Sequence, residues 1–184
     1  NWSGLVRFLH QGQGFDWGLY GGWLRDRQGV IQPPDLTGIG TGVLSLTLDH
    51  RRYWMAGHSG SLPLGDWLLK WELLAEINKS FNTTKLSGPV PEIGIEETTL
   101  LTGMTGLTWS GMENTTVGLE MTRGLFIDVP DDLLFPADAT SFALRVSRTF
   151  LRETLRVDAA GTTVGWRGQY GWLARAESTY ELTD

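Results

Sequence analysis

The chain has 184 residues, and its 15 Lys and Arg against 21 Asp and Glu leave a formal net charge of −6. That acidity argues against a nucleic-acid partner, and the absence of cysteine rules out a disulfide framework and thiolate metal sites. No apolar run reaches the ~18 residues of a transmembrane helix, whereas nine Trp and 24 Gly point to an all-β chain rich in turns and close backbone approaches.

In chain order, apolar periodicity predicts roughly nine strands. A weak alternating run at 3–10 comes first. In 14–25, Phe15, Trp17, Leu19 and Trp23 fall on one face, and Asp16, Gly18, Tyr20 and Gly22 on the other. After a second weak run at 50–61 comes the clearest element, "DWLLKWELLAEIN" at 66–78. Its Leu, Lys, Glu and Ala are good helix formers. Yet Trp67, Leu69, Trp71, Leu73, Ala75 and Ile77 occupy every odd position, while Asp66, Lys70, Glu72, Glu76 and Asn78 are all even. At about 100° per residue these polar groups scatter around a helix, so the period of two prevails and predicts a strand.

A weaker run at 98–109 precedes 113–126, where Val117, Leu119, Met121 and Leu125 oppose Thr116, Gly118, Glu120 and Thr122. In 141–149, Phe142, Leu144 and Val146 oppose Ala143, Arg145 and Ser147; Leu155, Val157 and Ala159 then oppose Arg156 and Asp158. The last strand, 169–182, sets Tyr170, Trp172, Ala174, Ala176 and Tyr180 against Gly171, Arg175 and Glu177. Connections rich in Gly and Pro at 26–48, 79–97, 127–140 and 165–168 alternate with short joins near 11–13, 62–65, 110–112 and 150–151. The long connections therefore project from one end of an antiparallel up-and-down sheet, as the long loops of outer-membrane β-barrels do.

Alternation assigns parity but not which face meets water, because a soluble sandwich alternates equally well. Three features favour a transmembrane β-barrel. The clean strands are about twice the usual soluble length of ~5–6 residues, and the Trp67–Ile77 run, tilted by ~45°, climbs about 25 Å, the height of an apolar band. Aromatic side chains gather towards strand ends, at Phe15, Trp17 and Trp23 and again at Tyr170, Trp172 and Tyr180, where a half-wet ring suits the headgroup level. Trp67 and Trp71 join the same lipid-facing or interfacial set. The opposite face mixes Gly and Thr with charges of both signs, as a wet lumen does.

The stretch "YWMAGHSGSLPLGDWLLKWELLAE" resembles a recurring hairpin in a porin-like family of outer-membrane proteins of Gram-negative bacteria, a domain family of unknown function. "LTGMTGLTWSG" followed by "TTVGLEMTRG" is similar to its paired strands, and "YGWLARAESTYELTD" to a later strand ending in a Tyr-x-Leu-x-Asp turn. The resemblance covers about the last three quarters of the chain and implies an outer-membrane location, with Glu72 facing the lumen. It carries no catalytic residues.

Candidate chemistry is sparse. "GHSGS", Gly57 to Ser61, has Ser61 where a nucleophile elbow needs Gly, leads into no helix, and leaves Ser59 with His58 or His50 but no orienting acid. The expectation is no enzyme and no cofactor. His10, His50 and His58 lack metal-ligand spacing, and Asp128, Asp131, Asp132 and Asp138 read as a solvated acidic loop rather than a cation site. The four sequons at Asn1, Asn78, Asn82 and Asn114 read as chance in a Thr-rich barrel. The functional content lies in Lys70, Glu72, Glu76, Glu120, Arg145, Arg156, Asp158, Arg175 and Glu177, which line the lumen if the Trp face meets lipid. Rings of charge there set selectivity, or simply neutralise one another.

The chain is thus expected to be one barrel segment over residues 1–184, forming a passive channel for a small solute, with membrane lipid as its other partner. A soluble carbohydrate-binding module with exposed Trp is the alternative, and a membrane-barrel hydrolase the third reading. An odd strand count and the lack of a starting Met imply a processed or cut end and missing strands on at least one side. A four-residue loop at Gly165–Gly168 predicts partners whose numbers sum to 333, pairing Arg156 with Glu177 and Asp158 with Arg175.

Overall fold

A computed structural model describes residues 2–33, 40, 42, 45–85, 92–128, 132–134, 140–151, 154–165 and 168–181. Nine strands form one antiparallel sheet in the order β1 Gly4–Gln11, β2 Asp16–Arg25, β5 Arg52–Leu64, β6 Trp67–Lys85, β7 Glu92–Met112, β8 Thr115–Ile127, β9 Ser141–Phe150, β10 Leu155–Val164 and β11 Gly171–Tyr180. Each predicted run is one of these strands, and each strand pairs with its neighbours in the chain. β3 Val30–Ile31 and β4 Leu48–Asp49 form a separate two-stranded ribbon in the connection between β2 and β5.

Tight turns close one end. Gly65 at φ 61° opens the two-residue link between β5 and β6, where a side chain would be strained, and Asn114 at φ 56° tolerates the same region between β7 and β8. The β1–β2 and β9–β10 joins stand at the same end, and the connections β2–β5, β6–β7, β8–β9 and β10–β11 at the opposite one, as the alternation of join lengths predicts.

The structure corrects the sequence reading at three places. The connection predicted at 79–97 is strand for most of its length, because β6 continues to Lys85 and β7 starts at Glu92. A bulge conceals this: Asn78 lies at φ 56°, the register shifts between Glu76 and Lys79, and the parity of β6 flips beyond it. The link between β10 and β11 spans 165–170, so partner numbers sum to 335; Arg156 faces Thr179, and Asp158 faces Glu177. Phe15 and Tyr170 lie in turns rather than on strands. The sheet is open, with β1 and β11 as its edges, and these two strands do not pair with each other; what stands is an all-β, antiparallel, up-and-down sheet.

The registers are strongly staggered. The row of partners Gln11–Asp16–Ser61–Lys70–Gly106–Glu120–Ala143–Thr162–Leu173 begins at the short-turn end of β1 and finishes close to the other end of β11. The strands are therefore inclined in one consistent sense, the relation that shear imposes on a barrel wall.

Candidate functional site

Residues paired across an antiparallel ladder project to the same side, so the registers turn parity in each strand into faces of the whole sheet. All nine predicted charges (Lys70, Glu72, Glu76, Glu120, Arg145, Arg156, Asp158, Arg175 and Glu177) share one face. Trp17, Trp23, Trp67, Trp71, Trp172 and Tyr180 share the other. Phe15 joins that second side from its turn by stacking on Trp71 at 5.8 Å, while Tyr170 is exposed in its turn.

The apolar face has two aromatic belts. Towards the short turns, Phe8 meets Trp17 at 5.5 Å and Trp67 meets Trp109 at 6.1 Å. Towards the long connections, Trp23 meets Trp54 at 4.7 Å, and Trp172 stands opposite Thr163. Aliphatic side chains fill the band between. The apolar face is open: Leu73, Leu101, Leu107, Leu119, Leu125 and Leu144 are exposed, whereas Glu72, Thr102, Thr108, Gly118, Gly124 and Ala143, beside them in sequence, are half-buried or buried, although Lys70, Glu120, Arg145, Arg156, Arg175 and Glu177 on the charged face are exposed too.

On the charged face, the side chains form three groups. In the first, the Tyr20 hydroxyl donates to the Glu72 carboxylate, although β5 lies between their strands. Gly57, the partner of Tyr20, makes this possible, because a Cβ there would sit 2.2 Å from the Tyr20 ring. In the second, Lys70 and Glu120 flank Gly106 and make no ion pair among the described residues. They border a groove of about 430 Å³ that Thr108, Thr116, Ser147, Arg145 and Arg156 also line.

In the third group, Arg145 and Arg156 converge on Asp158 at 3.1 and 2.7 Å, while Arg175 pairs with Glu177 along its own strand. Arg145, Arg156 and Asp158 border a cavity of about 620 Å³ that Glu177 and Glu181 also line, so charges of both signs face it. Glu76 stands apart, nearer the long connections, and accepts from Lys79 at 2.8 Å.

Arg7 and Lys79 belong to this face but escaped the sequence reading, and Tyr20, which parity places on the polar face, is not among the functional residues read from the sequence. The legible signal for Tyr20 was a large polar ring at a polar-face position of a strand otherwise rich in Gly. Lys79 could not be assigned, because the bulge reverses the parity by which it would be placed. Ser59 and His58 project to opposite faces and do not meet, while His50 Nδ1 lies 2.9 Å from the Asp26 carbonyl. Among the described residues no group of three His, Asp or Glu converges as a metal site; Asp131, Asp138 and Asn1 lie outside the described residues.

No family model matches the chain, and neither the curated proteins nor the solved structures include a match to it.

Proposed function

We propose that the nine strands are a section of the wall of a bacterial outer-membrane β-barrel, related to the porin-like family that the sequence resembles, and that the charged face lines a water-filled passage for a small solute. The observation that carries this reading is the open apolar face, with Leu73, Leu119 and Leu125 exposed and Glu76 shielded. An apolar surface of this breadth far exceeds the few hundred Å² that a soluble monomer leaves in water, and lipid is the solvent that favours it. The two aromatic belts, the uniform stagger and the long connections at one end support the same reading.

In hydrocarbon an unpaired strand edge costs several kcal/mol for each unsatisfied backbone group. The edges of β1 and β11 therefore require further strands for closure. These two strands run in the same direction, each from the long-connection end to the short-turn end, so an antiparallel closure takes an odd number of added strands. Inside the passage, Lys70 and Glu120 are free to meet a passing ion, and the Arg145–Asp158–Arg156 cluster narrows the wall.

Reconstitution of the full-length protein, with the strands that close the wall, in a planar bilayer tests this. Discrete conductance steps are expected, with a cation-to-anion permeability ratio that shifts when Lys70 is changed to Glu. Bilayer-inserted protein without conductance refutes the passage. Protein that is monodisperse in buffer without detergent refutes the membrane wall and favours the carbohydrate-binding alternative.

A further inference from the structure

The apolar face has its own charges, and strand parity assigns it Arg25, Arg52, Arg123 and Arg148 but only one carboxylate among the described strand residues, Glu97. That carboxylate is within 3.6 Å of Arg51. Two of the four cations are direct cross-strand partners: Arg25 of β2 opposes Arg52 of β5, immediately beyond the Trp23–Trp54 pair. Like charges facing each other across a ladder destabilise it. Here no carboxylate among the described residues pairs with either of them. Both residues are exposed; the Arg25 guanidinium spends only its Nε, on the His50 carbonyl at 3.2 Å, and the Arg52 guanidinium makes no hydrogen bond or ion pair among the described residues.

We infer that Arg25 and Arg52 form a binding site for the phosphate of a lipid headgroup in the leaflet at the long-connection end. This rests on the reading of the apolar face as lipid-facing. Two guanidiniums set side by side match the oxygens of one phosphate in the bidentate manner. The Trp23–Trp54 pair beneath them suits the boundary between acyl chain and headgroup, so both ends of one lipid are served by adjoining positions on two strands. A free anion would use only the upper half of this arrangement.

Protein folded in zwitterionic detergent micelles is titrated with phosphatidic acid and, in parallel, with phosphatidylcholine and inorganic phosphate, and bound lipid is counted by native mass spectrometry. One phosphatidic acid per chain is expected to bind roughly ten- to thirty-fold tighter than phosphatidylcholine. Arg52→Gln should remove most of that preference, and Arg52→Lys, which keeps the charge, should retain part of it. Arg27→Gln, outside the pair, should retain all of it. Arg52→Gln with the full preference overturns the site, as does displacement by inorganic phosphate at the same concentration as the lipid. Should Arg52→Gln not fold, the wild-type protein still decides: an embedded chain that binds both lipids equally refutes the site and leaves the membrane reading intact. A chain that stays out of micelles refutes both.

Discussion

Leu73, in the middle of β6, is 59 % exposed, whereas Thr83, further along the same strand, is 1 % exposed. The two belong to regions held together by different means. Around Leu73, between the aromatic belts, the wall has its ladders, rings laid over glycines and charges on one side, but almost no buried apolar side chain among the described residues. Around Thr83, beyond the bulge, the arm made by the outer parts of β6 and β7 meets the β3–β4 ribbon and residues 132–134. Asn82 is the hub of this cap. Its Oδ1 accepts from the Ile31 amide at 2.9 Å, its Nδ2 donates to the Ile31 carbonyl at 2.8 Å and to the Gly94 carbonyl at 3.2 Å, and its own carbonyl accepts from Leu134 at 3.1 Å. The side chain thus does for Ile31 what a neighbouring strand would, and Val30 is buried beside it. The cap ties its backbone together through Asn82, although the buried Ser80 and Thr83 hydroxyls have no partner among the described residues; the wall leaves its apolar surface for something outside the chain to cover.

Changes that test this difference have unequal expected effects. Leu73→Arg, on the open apolar face, should cost the wall about 2–4 kcal/mol in lipid vesicles, by folding titration. Lys70→Gln on the same strand but the other face should cost less than about 0.5 kcal/mol. If the two penalties are equal, the wall is not two-sided. Gly57→Ala should cost about 1–3 kcal/mol, because its Cβ falls on the Tyr20 ring and Tyr20 must leave Glu72. In a Tyr20→Ser background that penalty should vanish. Asn82→Ala should cost about 1–2 kcal/mol, felt only in the cap. Hydrogen exchange at the amides of Ile31 and Leu134 should quicken while the unfolding midpoint of the wall stays put. Arg145→Gln is the mildest: Arg145 and Asp158 meet at the surface of the groove, where an ion pair adds little, so stability should hold and only the ion preference of the conductance should move.

Parity within a strand is legible because successive side chains alternate whatever surrounds them, which is why all nine charges could be assigned to one face from short runs such as Trp67–Ile77. Local signals stop there. The bulge at Asn78 consumes one residue without leaving a Gly or Pro to mark it, and every assignment beyond it reverses, Lys79 among them. The register of β10 with β11 depends on how many residues the Gly-rich link absorbs. Gly165, Gly168 and Gly171 all adopt positive φ, and the link takes up 165–170 rather than the shorter loop. Opposite charges aligned at the predicted register, yet the ladder places Asp158 opposite Glu177, and the ion pairs form instead along the strands or on the diagonal. The Tyr20–Glu72 contact and the stagger are properties of several strands together, which no single segment records.

The absence of cysteine makes the central claim directly measurable. Leu119 and Glu120 are neighbours on β8, both exposed, and they project to opposite faces. Leu119→Cys and Glu120→Cys are each folded into lipid vesicles and treated with a charged, water-soluble maleimide, and a bilayer-embedded nitroxide then quenches a fluorophore attached at each site. The account predicts fast labelling and weak quenching for Glu120→Cys, with slow labelling and strong quenching for Leu119→Cys. Equal labelling of the two, or the reverse order, contradicts it.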